Sequence, residues 1–243
     1  MPTIEADGCP LNVEVEGRDD APVLMLSNSL GTNLHMWDPQ MPEFTKHFRV
    51  VRYDRRGHGK SGAPAGPYSF ERFGRDILAI IDALKIRKMN WCGLSMGGMD
   101  GQWLGANAGD RIEKLVLANT NYYYADKSPW ADRIKFVLEK GPAGFVDTNM
   151  ARWFTKGFIE RAPKEIERMK EMFLASNREG YAACVGAIRD MDFRATNPGI
   201  TAPTLVIVGT QDPATPPAYG EEIARQIKGA EIAYTDASHI SNV

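Results

Sequence analysis

A serine framed by glycines, at the junction of a predicted strand and a predicted helix, constrains the fold of this chain most. The motif GLSMG at residues 93–97 follows the apolar stretch 89–92 and precedes a helical pattern over 99–108. A G-x-S-x-G motif at such a junction puts the serine on a sharp, strained turn, with its hydroxyl exposed above the sheet. The flanking glycines lack the Cβ atoms that would crowd this turn. The motif therefore predicts an α/β sheet and a nucleophilic Ser95.

Short apolar, β-branched stretches alternate with helical patterns along most of the chain. They lie at residues 11–15, 23–26, 50–53, 89–92, 115–117, 205–208 and 231–234. Most are continuously apolar, which is typical of strands covered on both faces. Between two of them, apolar residues recur at three- and four-residue steps over 70–84, with Ser69 as the predicted N-cap. This alternation predicts right-handed crossovers and a mostly parallel central sheet flanked by helices.

The interval 119–204 breaks the alternation, because it contains no predicted strand although a crossover helix needs only about a dozen residues. Its pattern indicates several helices rich in large apolar side chains, which packing within the helices would explain. The sharper interpretation is a cap over a pocket at the carboxyl edge of the sheet, where open α/β folds bind ligands. We therefore predict a core of residues 1–121 and 198–243, with a helical cap of residues 122–197 inserted after the sixth core strand.

A serine hydroxyl is a weak nucleophile, so it needs a histidine base that is oriented by an acid. For this motif the expected chain order is serine, acid, histidine. Of the four histidines, only His239 follows Ser95, and it comes directly after the last predicted strand. The predicted acid is Asp212, in the segment GTQDP after the strand at 205–208. Asp236, three residues before His239, is the rival acid at a different strand end.

Stabilising a tetrahedral oxyanion requires two main-chain N–H groups aimed at the developing charge. Met96, next to the nucleophile, is predicted to supply the first. The second should come from the loop SNSLG at residues 27–31, after the strand at 23–26, and we assign it to Leu30.

A second glycine-rich segment, DRRGHGKSG at residues 54–62, imitates nucleotide-binding motifs without meeting their requirements. A P-loop needs glycine at position 54, which is aspartate here. The dinucleotide motif needs a helix to open at its third glycine, but APAGP follows. The segment therefore predicts a tight structural loop.

Composition argues against several other classes of protein. With 29 basic and 31 acidic residues the net charge is -2, so no positive excess favours nucleic acid. No apolar run approaches the roughly 18 residues that span a bilayer, and the start MPTIEADGCP lacks the order of a signal peptide. Three distant cysteines predict neither a disulfide framework nor a metal site. We expect a cytoplasmic enzyme with no metal or cofactor and no nucleic-acid or membrane partner, as a monomer or weak homo-oligomer.

Over essentially its whole length the chain resembles the α/β-hydrolase superfamily, because YDRRGHGKSG, GLSMGG, GTQD and a terminal histidine follow in that order. The longer segments LSNSLGTNLHMWDPQ, LSMGGMDGQWLGANAGDRIEKLVLANT and ASHISNV resemble those of the 3-oxoadipate enol-lactonases. In the first of these segments, Asn28-Ser29 stands where many relatives carry His-Gly. One departure is Ser238, which stands where many relatives have glycine before the histidine.

The resemblance implies a serine hydrolase that opens a small lactone carrying a carboxylate, without metal or organic cofactor. Such a carboxylate needs a donor, and the cap offers Arg133, Arg152 and the indole N–H of Trp130. Solvation or packing would explain each of these side chains as well, and Trp130 is the predicted pocket residue. Carboxylesterases and carbon–carbon bond hydrolases of ring-cleavage products share the core motifs and remain alternatives. A small-molecule receptor on the same scaffold is a further one.

The resemblance also leads us to expect a closing helix after the loop that carries the histidine. Val243 lies only four residues beyond His239, which leaves no room for that helix. We therefore expect the natural protein to continue past the supplied chain.

Overall fold

The computed structural model describes residues 3–243, and its centre is an eight-stranded sheet in the order β1-β2-β4-β3-β5-β6-β7-β8. The strands are β1 (Thr3–Glu5), β2 (Pro10–Glu16), β3 (Val23–Ser27), β4 (Arg49–Tyr53), β5 (Met89–Leu94), β6 (Ile112–Ala118), β7 (Thr204–Gly209) and β8 (Glu231–Thr235). β2 pairs antiparallel with β1 and with β4, and every other neighbouring pair is parallel. The predicted mostly parallel sheet is confirmed. β1 was not predicted, because three residues are too few to show a periodic pattern.

Both faces of the central strands are buried, as their continuously apolar sequences predict. In β3, Leu24 and Leu26 belong to one apolar cluster, and the intervening Met25 belongs to the other. Val50 and Val51 of β4 divide between the same two clusters. Successive side chains of a strand point to opposite faces, so each face of the sheet has its own core.

Four helices flank the sheet: α1 (Met41–His47), α2 (Phe70–Ala83), α3 (Met96–Asn107) and α9 (Pro217–Gln226). α2 begins after Ser69, whose side chain accepts a hydrogen bond from the Arg72 N–H, so the predicted N-cap is confirmed. Its fully buried Ile77 and Ile80 pack in the core on one face of the sheet. No helix within residues 3–243 is long and apolar enough to cross a membrane.

Five helices lie between β6 and β7, which confirms a helical cap after the sixth strand. They are α4 (Ser128–Lys140), α5 (Val146–Trp153), α6 (Lys156–Arg161), α7 (Pro163–Leu174) and α8 (Arg178–Asp190). Most of their large apolar side chains are helix core, including the buried Val137, Met169 and Phe173. These side chains share one cluster with Leu26 and Leu94 of the sheet, so the cap packs directly on the carboxyl end of the strands. The exact cap boundary of 122–197 stays a prediction.

The glycine-rich loop at 54–62 joins the core to the cap rather than opening a helix. Gly57 has a φ of 79°, and a Cβ atom there would lie 2.7 Å from the Gly180 Cα of α8. Only glycine on both sides lets the two backbones approach so closely. No helix starts at Gly62, since α2 begins eight residues later at Phe70. The loop is structural, as predicted.

Candidate active site

Ser95 lies on a strained turn between β5 and α3, with a φ of 58° and a ψ of -113°. Backbone of this kind costs on the order of 1–3 kcal/mol and persists only where its surroundings hold it. The Ser95 N–H donates to the Ala118 carbonyl at 2.8 Å. The Ser95 carbonyl accepts from the Gly98 N–H at 2.9 Å and from the Thr120 hydroxyl at 2.6 Å. These bonds tie the turn to the end of β6.

The two framing glycines are required by close contacts. A Cβ atom at Gly93 would lie 2.0 Å from the Gly97 carbonyl oxygen, and one at Gly97 would lie 2.3 Å from the Ser27 carbonyl oxygen. Since real Cβ atoms do not approach backbone oxygens so closely, larger residues would force the serine out of place. The G-x-S-x-G spacing is therefore a packing requirement of this turn.

The structure brings Ser95, His239 and Asp212 together from three separate loops. His239 Nε2 lies 2.9 Å from Ser95 Oγ, and His239 Nδ1 lies 2.8 Å from Asp212 Oδ2. All three residues are buried. The rival acid Asp236 is exposed and accepts a hydrogen bond from the Gln211 side chain at 2.7 Å. Of the two candidate acids, only Asp212 is hydrogen-bonded to the histidine.

Hydrogen bonds and charge keep Asp212 ionised in spite of its burial. Oδ1 accepts from the Ala214 N–H at 2.7 Å and from the Thr215 N–H at 3.0 Å. Oδ2 accepts from the Thr215 hydroxyl at 2.6 Å as well as from His239. Burial alone would raise the pKa of Asp212, but the charge of His239 and these hydrogen bonds outweigh burial and lower it. The acid is therefore a carboxylate that can accept from the Nδ1–H of His239.

The loop after β3 brings Leu30 to the same site. The Gly31 N–H donates to His58 Nε2 at 2.9 Å, and the Thr32 N–H donates to the Ser29 carbonyl. Leu30 lines the pocket beside Ser95, so its N–H is the candidate donor of this loop. Met96 is the first residue of α3, where main-chain N–H groups point out of the helix.

A pocket of about 500 Å³, here called the inner pocket, opens above Ser95 beneath the cap. Its lining includes His239 and Thr215 from the core, and the three sequence-predicted cap residues Trp130, Arg133 and Arg152. Trp130, Arg133 and Arg152 also line a larger outer cavity of about 1150 Å³ towards the surface. The three cap residues therefore lie between Ser95 and the outer cavity.

Arg133 is held in place without an acidic partner. Its Nε donates to the Tyr181 hydroxyl at 2.9 Å, its Nη2 donates to Asn149 Oδ1 at 3.0 Å, and its guanidinium lies over the Phe145 ring at 4.5 Å. No carboxylate of residues 3–243 forms an ion pair with it. The Asn149 Nδ2 group is buried and has no hydrogen-bond partner within the described part of the chain. Arg133 and Asn149 together offer unused hydrogen-bond donors and a positive charge to an anionic ligand.

A family model described as alpha/beta hydrolase fold matches residues 22–243. This chain belongs to the α/β-hydrolase family. A relative, the 3-oxoadipate enol-lactonase 2 of Acinetobacter baylyi, is 40% identical over 241 residues, which are 99% of this chain and 90% of that protein. The solved enol-lactonase from Burkholderia xenovorans LB400 has 44% identity and a TM-score of 0.96, covering 98% of this chain and 92% of its own.

A more distant solved structure, a thermophilic esterase from Thermogutta terrifontis, is 27% identical with a TM-score of 0.90, and the match covers 98% of this chain and 90% of that one. The predicted α/β-hydrolase fold is confirmed, and the chain is a hydrolase. Within residues 3–243 the hydrolase has no cluster of three or more His, Cys, Asp or Glu side chains that could hold a metal ion.

Asn119 is a residue of the site that sequence reasoning missed. Its buried side chain donates through Nδ2 to the carbonyls of Ser238 and His239, at 2.9 and 2.8 Å, and accepts from the Gly209 N–H at 3.0 Å. It therefore joins the ends of β6 and β7 to the loop that carries the histidine. Its φ of 44° is a conformation that asparagine tolerates better than most residues. An asparagine directly after an apolar strand is the signal that would have found it.

Ser238, directly before the histidine, contacts the cap through its side chain. Its hydroxyl donates to the Arg152 carbonyl at 2.7 Å, at the end of α5. On the other side of the histidine, the Ile240 N–H donates to the Trp153 carbonyl at 3.0 Å. Both neighbours of His239 are thus bound to the cap of this hydrolase.

His58 is expected to make the hydrolase sensitive to acid. Burial, followed by the charge of Arg55, lowers the pKa of His58 from 6.5 to about 3. The folded state therefore keeps the imidazole neutral where the unfolded chain binds a proton, so stability is present above pH 6.5 and is lost as the pH falls towards 3. The slope for one proton is about 1.4 kcal/mol per pH unit. Urea titrations between pH 6 and 4 should show this loss in the free energy of unfolding.

Two variants check the assignment of this acid sensitivity. His58→Gln should be less stable at neutral pH and should show a smaller fall in the free energy of unfolding on acidification. His47→Gln, at an exposed position on α1, is the control and should keep the wild-type slope. An unchanged slope in His58→Gln would contradict the role of His58.

Proposed function

We propose that this enzyme opens the lactone ring of 3-oxoadipate enol-lactone to give 3-oxoadipate, a step of aromatic catabolism in the β-ketoadipate pathway. The observation that carries the proposal is one pocket holding both a Ser–His–Asp arrangement and Arg133, an arginine with no acidic partner in residues 3–243. The high similarity to proteins named as enol-lactonases supports it.

Acylation follows from the geometry around Ser95. His239 Nε2, 2.9 Å from Ser95 Oγ, takes the hydroxyl proton as the oxygen attacks the lactone carbonyl carbon. Asp212 accepts from the other ring nitrogen, which keeps the free electron pair on Nε2 and stabilises the imidazolium. The N–H groups of Leu30 and Met96 donate to the oxyanion.

Collapse of the tetrahedral intermediate breaks the ring C–O bond and leaves an acyl-enzyme. His239 returns its proton to the departing oxygen, so the leaving group is an enol. An enol is a better leaving group than an alkoxide, and it tautomerises to the ketone of 3-oxoadipate. Water then attacks the acyl-enzyme with His239 as base, which restores Ser95 and releases the new carboxylate.

The free carboxylate of the substrate is proposed to bind at Arg133. The hydroxyl of Tyr181 and the side-chain amide of Asn149 hold the guanidinium of Arg133 in place before substrate binds, which reduces the conformational entropy lost on binding. Trp130 lines the pocket beside it and contributes its ring or its indole N–H. Among residues 3–243 the Arg152 side chain donates only to the Pro213 carbonyl, at 3.5 Å, so it is less constrained. We therefore assign the substrate carboxylate to Arg133 rather than to Arg152.

Carboxylester hydrolysis is the second candidate, and the outer cavity favours it. The outer cavity extends past the inner pocket along apolar side chains such as Phe136 and Phe145, which would contact ester groups larger than the lactone. Hydrolysis of carbon–carbon bonds and a receptor role rest on the shared scaffold alone.

A side-by-side comparison of substrates tests the proposal. Purified enzyme should turn over the enol-lactone with a higher kcat/KM than a neutral aryl ester or a ring-cleavage diketone. Arg133→Met should lower kcat/KM for the anionic lactone about 100-fold, because one charge-assisted contact is lost, and should change it less than threefold for the neutral ester. Steady-state rates of the wild type and of Arg133→Met on each substrate give the ratios.

The control for that comparison is Arg161→Met. Arg161 is another cap arginine, whose guanidinium lies over the Phe158 ring at 5.0 Å, outside the inner pocket. It should leave both substrates unaffected. An enzyme that cleaves aryl esters quickly while leaving the lactone intact would refute lactone hydrolysis.

We also propose that the enzyme works in the cytoplasm, as a monomer or weak homo-oligomer. Cys9, Cys92 and Cys184 are all free thiols, which fits a reducing compartment.

A further inference from the structure

Thr215 lies against both the acid and the base of the site, and no sequence motif assigned it a role. Its Oγ1 is 2.6 Å from Asp212 Oδ2 and 3.2 Å from His239 Nδ1. The residue is 5% exposed and lines the inner pocket in the loop between β7 and α9. A buried hydroxyl in contact with two members of the proposed triad can hold both side chains in orientation.

The hydroxyl completes the hydrogen bonding of Asp212. An ionised carboxylate offers about four lone-pair positions. Two backbone N–H groups, of Ala214 and Thr215, occupy Oδ1, and the Thr215 hydroxyl and His239 occupy Oδ2. With every position filled, the carboxylate is held against rotation about its Cβ–Cγ bond.

The same hydroxyl restricts which ring nitrogen of His239 carries the proton. A threonine hydroxyl has one proton, and the short distance to Asp212 Oδ2 shows that it goes there. The oxygen then faces His239 Nδ1 with a lone pair, so Nδ1 must carry the ring proton. Nε2 is left free to accept the proton of Ser95.

We propose that Thr215 is a positioning residue that orients Asp212 and His239 and, by donating to Asp212, reduces the negative charge that the histidine faces. This inference rests on the triad proposed above. Removing the hydroxyl frees one lone pair of Asp212 and leaves more of its charge to stabilise protonated His239. Orientation then worsens, while the base becomes easier to protonate.

Other charged and titratable groups surround His239 and are unchanged by a substitution at position 215. Arg133 of α4, Arg152 of α5 and Tyr181 of α8 line the inner pocket with it, and Tyr124 does so from the loop after β6. The exposed Asp236 lies in its own loop and is paired with a glutamine. A change in pH dependence on removing one neutral hydroxyl is therefore attributable to the contact with Asp212 and His239.

The experiment compares Thr215→Val, which keeps the shape and removes the hydroxyl, with Thr215→Ser, which keeps the hydroxyl. The substrate is whichever of the enol-lactone and a neutral aryl ester the wild type turns over, so the test does not depend on the natural substrate. Thr215→Val should lower kcat about tenfold with KM within twofold, and should move the acid limb of the kcat/KM profile to higher pH. Thr215→Ser should restore both. If Thr215→Val does not fold, Thr215→Ala carries the same expectation.

Thr210→Val is the matched control. Thr210 is an exposed threonine in the same loop whose hydroxyl donates to the Thr235 carbonyl, and its loss should change neither kcat nor the pH profile. Wild-type kcat in Thr215→Val, a slow enzyme with an unmoved acid limb, or a Thr215→Ser as slow as Thr215→Val would each overturn the proposal. Asp212→Asn is measured alongside these variants. If it loses activity, the triad is supported, and any of the three outcomes then counts against the role of Thr215 alone.

Discussion

Replacing Ser95 with alanine is expected to lower kcat by a factor of about 10⁵ or more, with the protein still folded. In the proposed mechanism the Ser95 hydroxyl forms the acyl-enzyme, and removing a serine nucleophile leaves only the rate supplied by the oxyanion donors and by binding. Alanine fits the turn no worse than serine, since the turn is held by the main chain of residue 95. Pre-steady-state rates measure the loss of activity, and the circular dichroism spectrum shows whether the variant is folded.

Ser29→Ala is the control for that loss. Ser29 also lines the inner pocket and is buried, but it is its carbonyl that accepts hydrogen bonds, from the N–H and the hydroxyl of Thr32. It should retain activity within about tenfold of the wild type, because a pocket contact contributes far less than the nucleophile. If Ser95→Ala kept substantial activity while Ser29→Ala lost it, the assignment of the nucleophile would be wrong.

Replacing Asp212 with asparagine is expected to lower kcat about 10⁴-fold. An asparagine side chain can turn its NH₂ group towards Nδ1, which favours the tautomer with the proton on Nε2. That tautomer cannot accept the proton of Ser95, and the stabilising charge on the imidazolium is lost as well. The loss should appear in kcat at every pH of the profile, measured on the same substrate as for Ser95→Ala.

Asp236→Asn is the matched control, since it makes the same change three residues before His239. Asp236 is exposed and pairs with Gln211, so its variant should keep a kcat within about twofold of the wild type. A slow Asp236→Asn beside a fast Asp212→Asn would reverse the assignment of the acid.

How much of the site could be predicted depended on how local its geometry is. Ser95 could be proposed because its strained turn is encoded within five consecutive residues, whose glycines are required by close contacts within the turn and with the Ser27 carbonyl oxygen of β3. His239 was predictable from chain order and from the scarcity of histidines. Thr215 was missed, although a threonine three residues after an aspartate is a spacing at which side chains bond back to the loop. Asn119 was missed because its partners are 90 to 120 residues away in the chain.

From the amino-acid pattern, the α/β-hydrolase fold and seven of the eight strands of residues 3–243 could be predicted, and Ser95 and His239 could be proposed as nucleophile and base. These depend on hydrophobic periodicity and on turn chemistry, which act over a few neighbouring residues. The folded structure shows that Asp212 rather than Asp236 is hydrogen-bonded to His239, and that Arg133 is held in the inner pocket with no acidic partner among residues 3–243. Those contacts depend on where packing places the ends of separate strands and the cap helices, and for that reason the sequence left Asp236 as a rival acid and Arg152 as a rival donor.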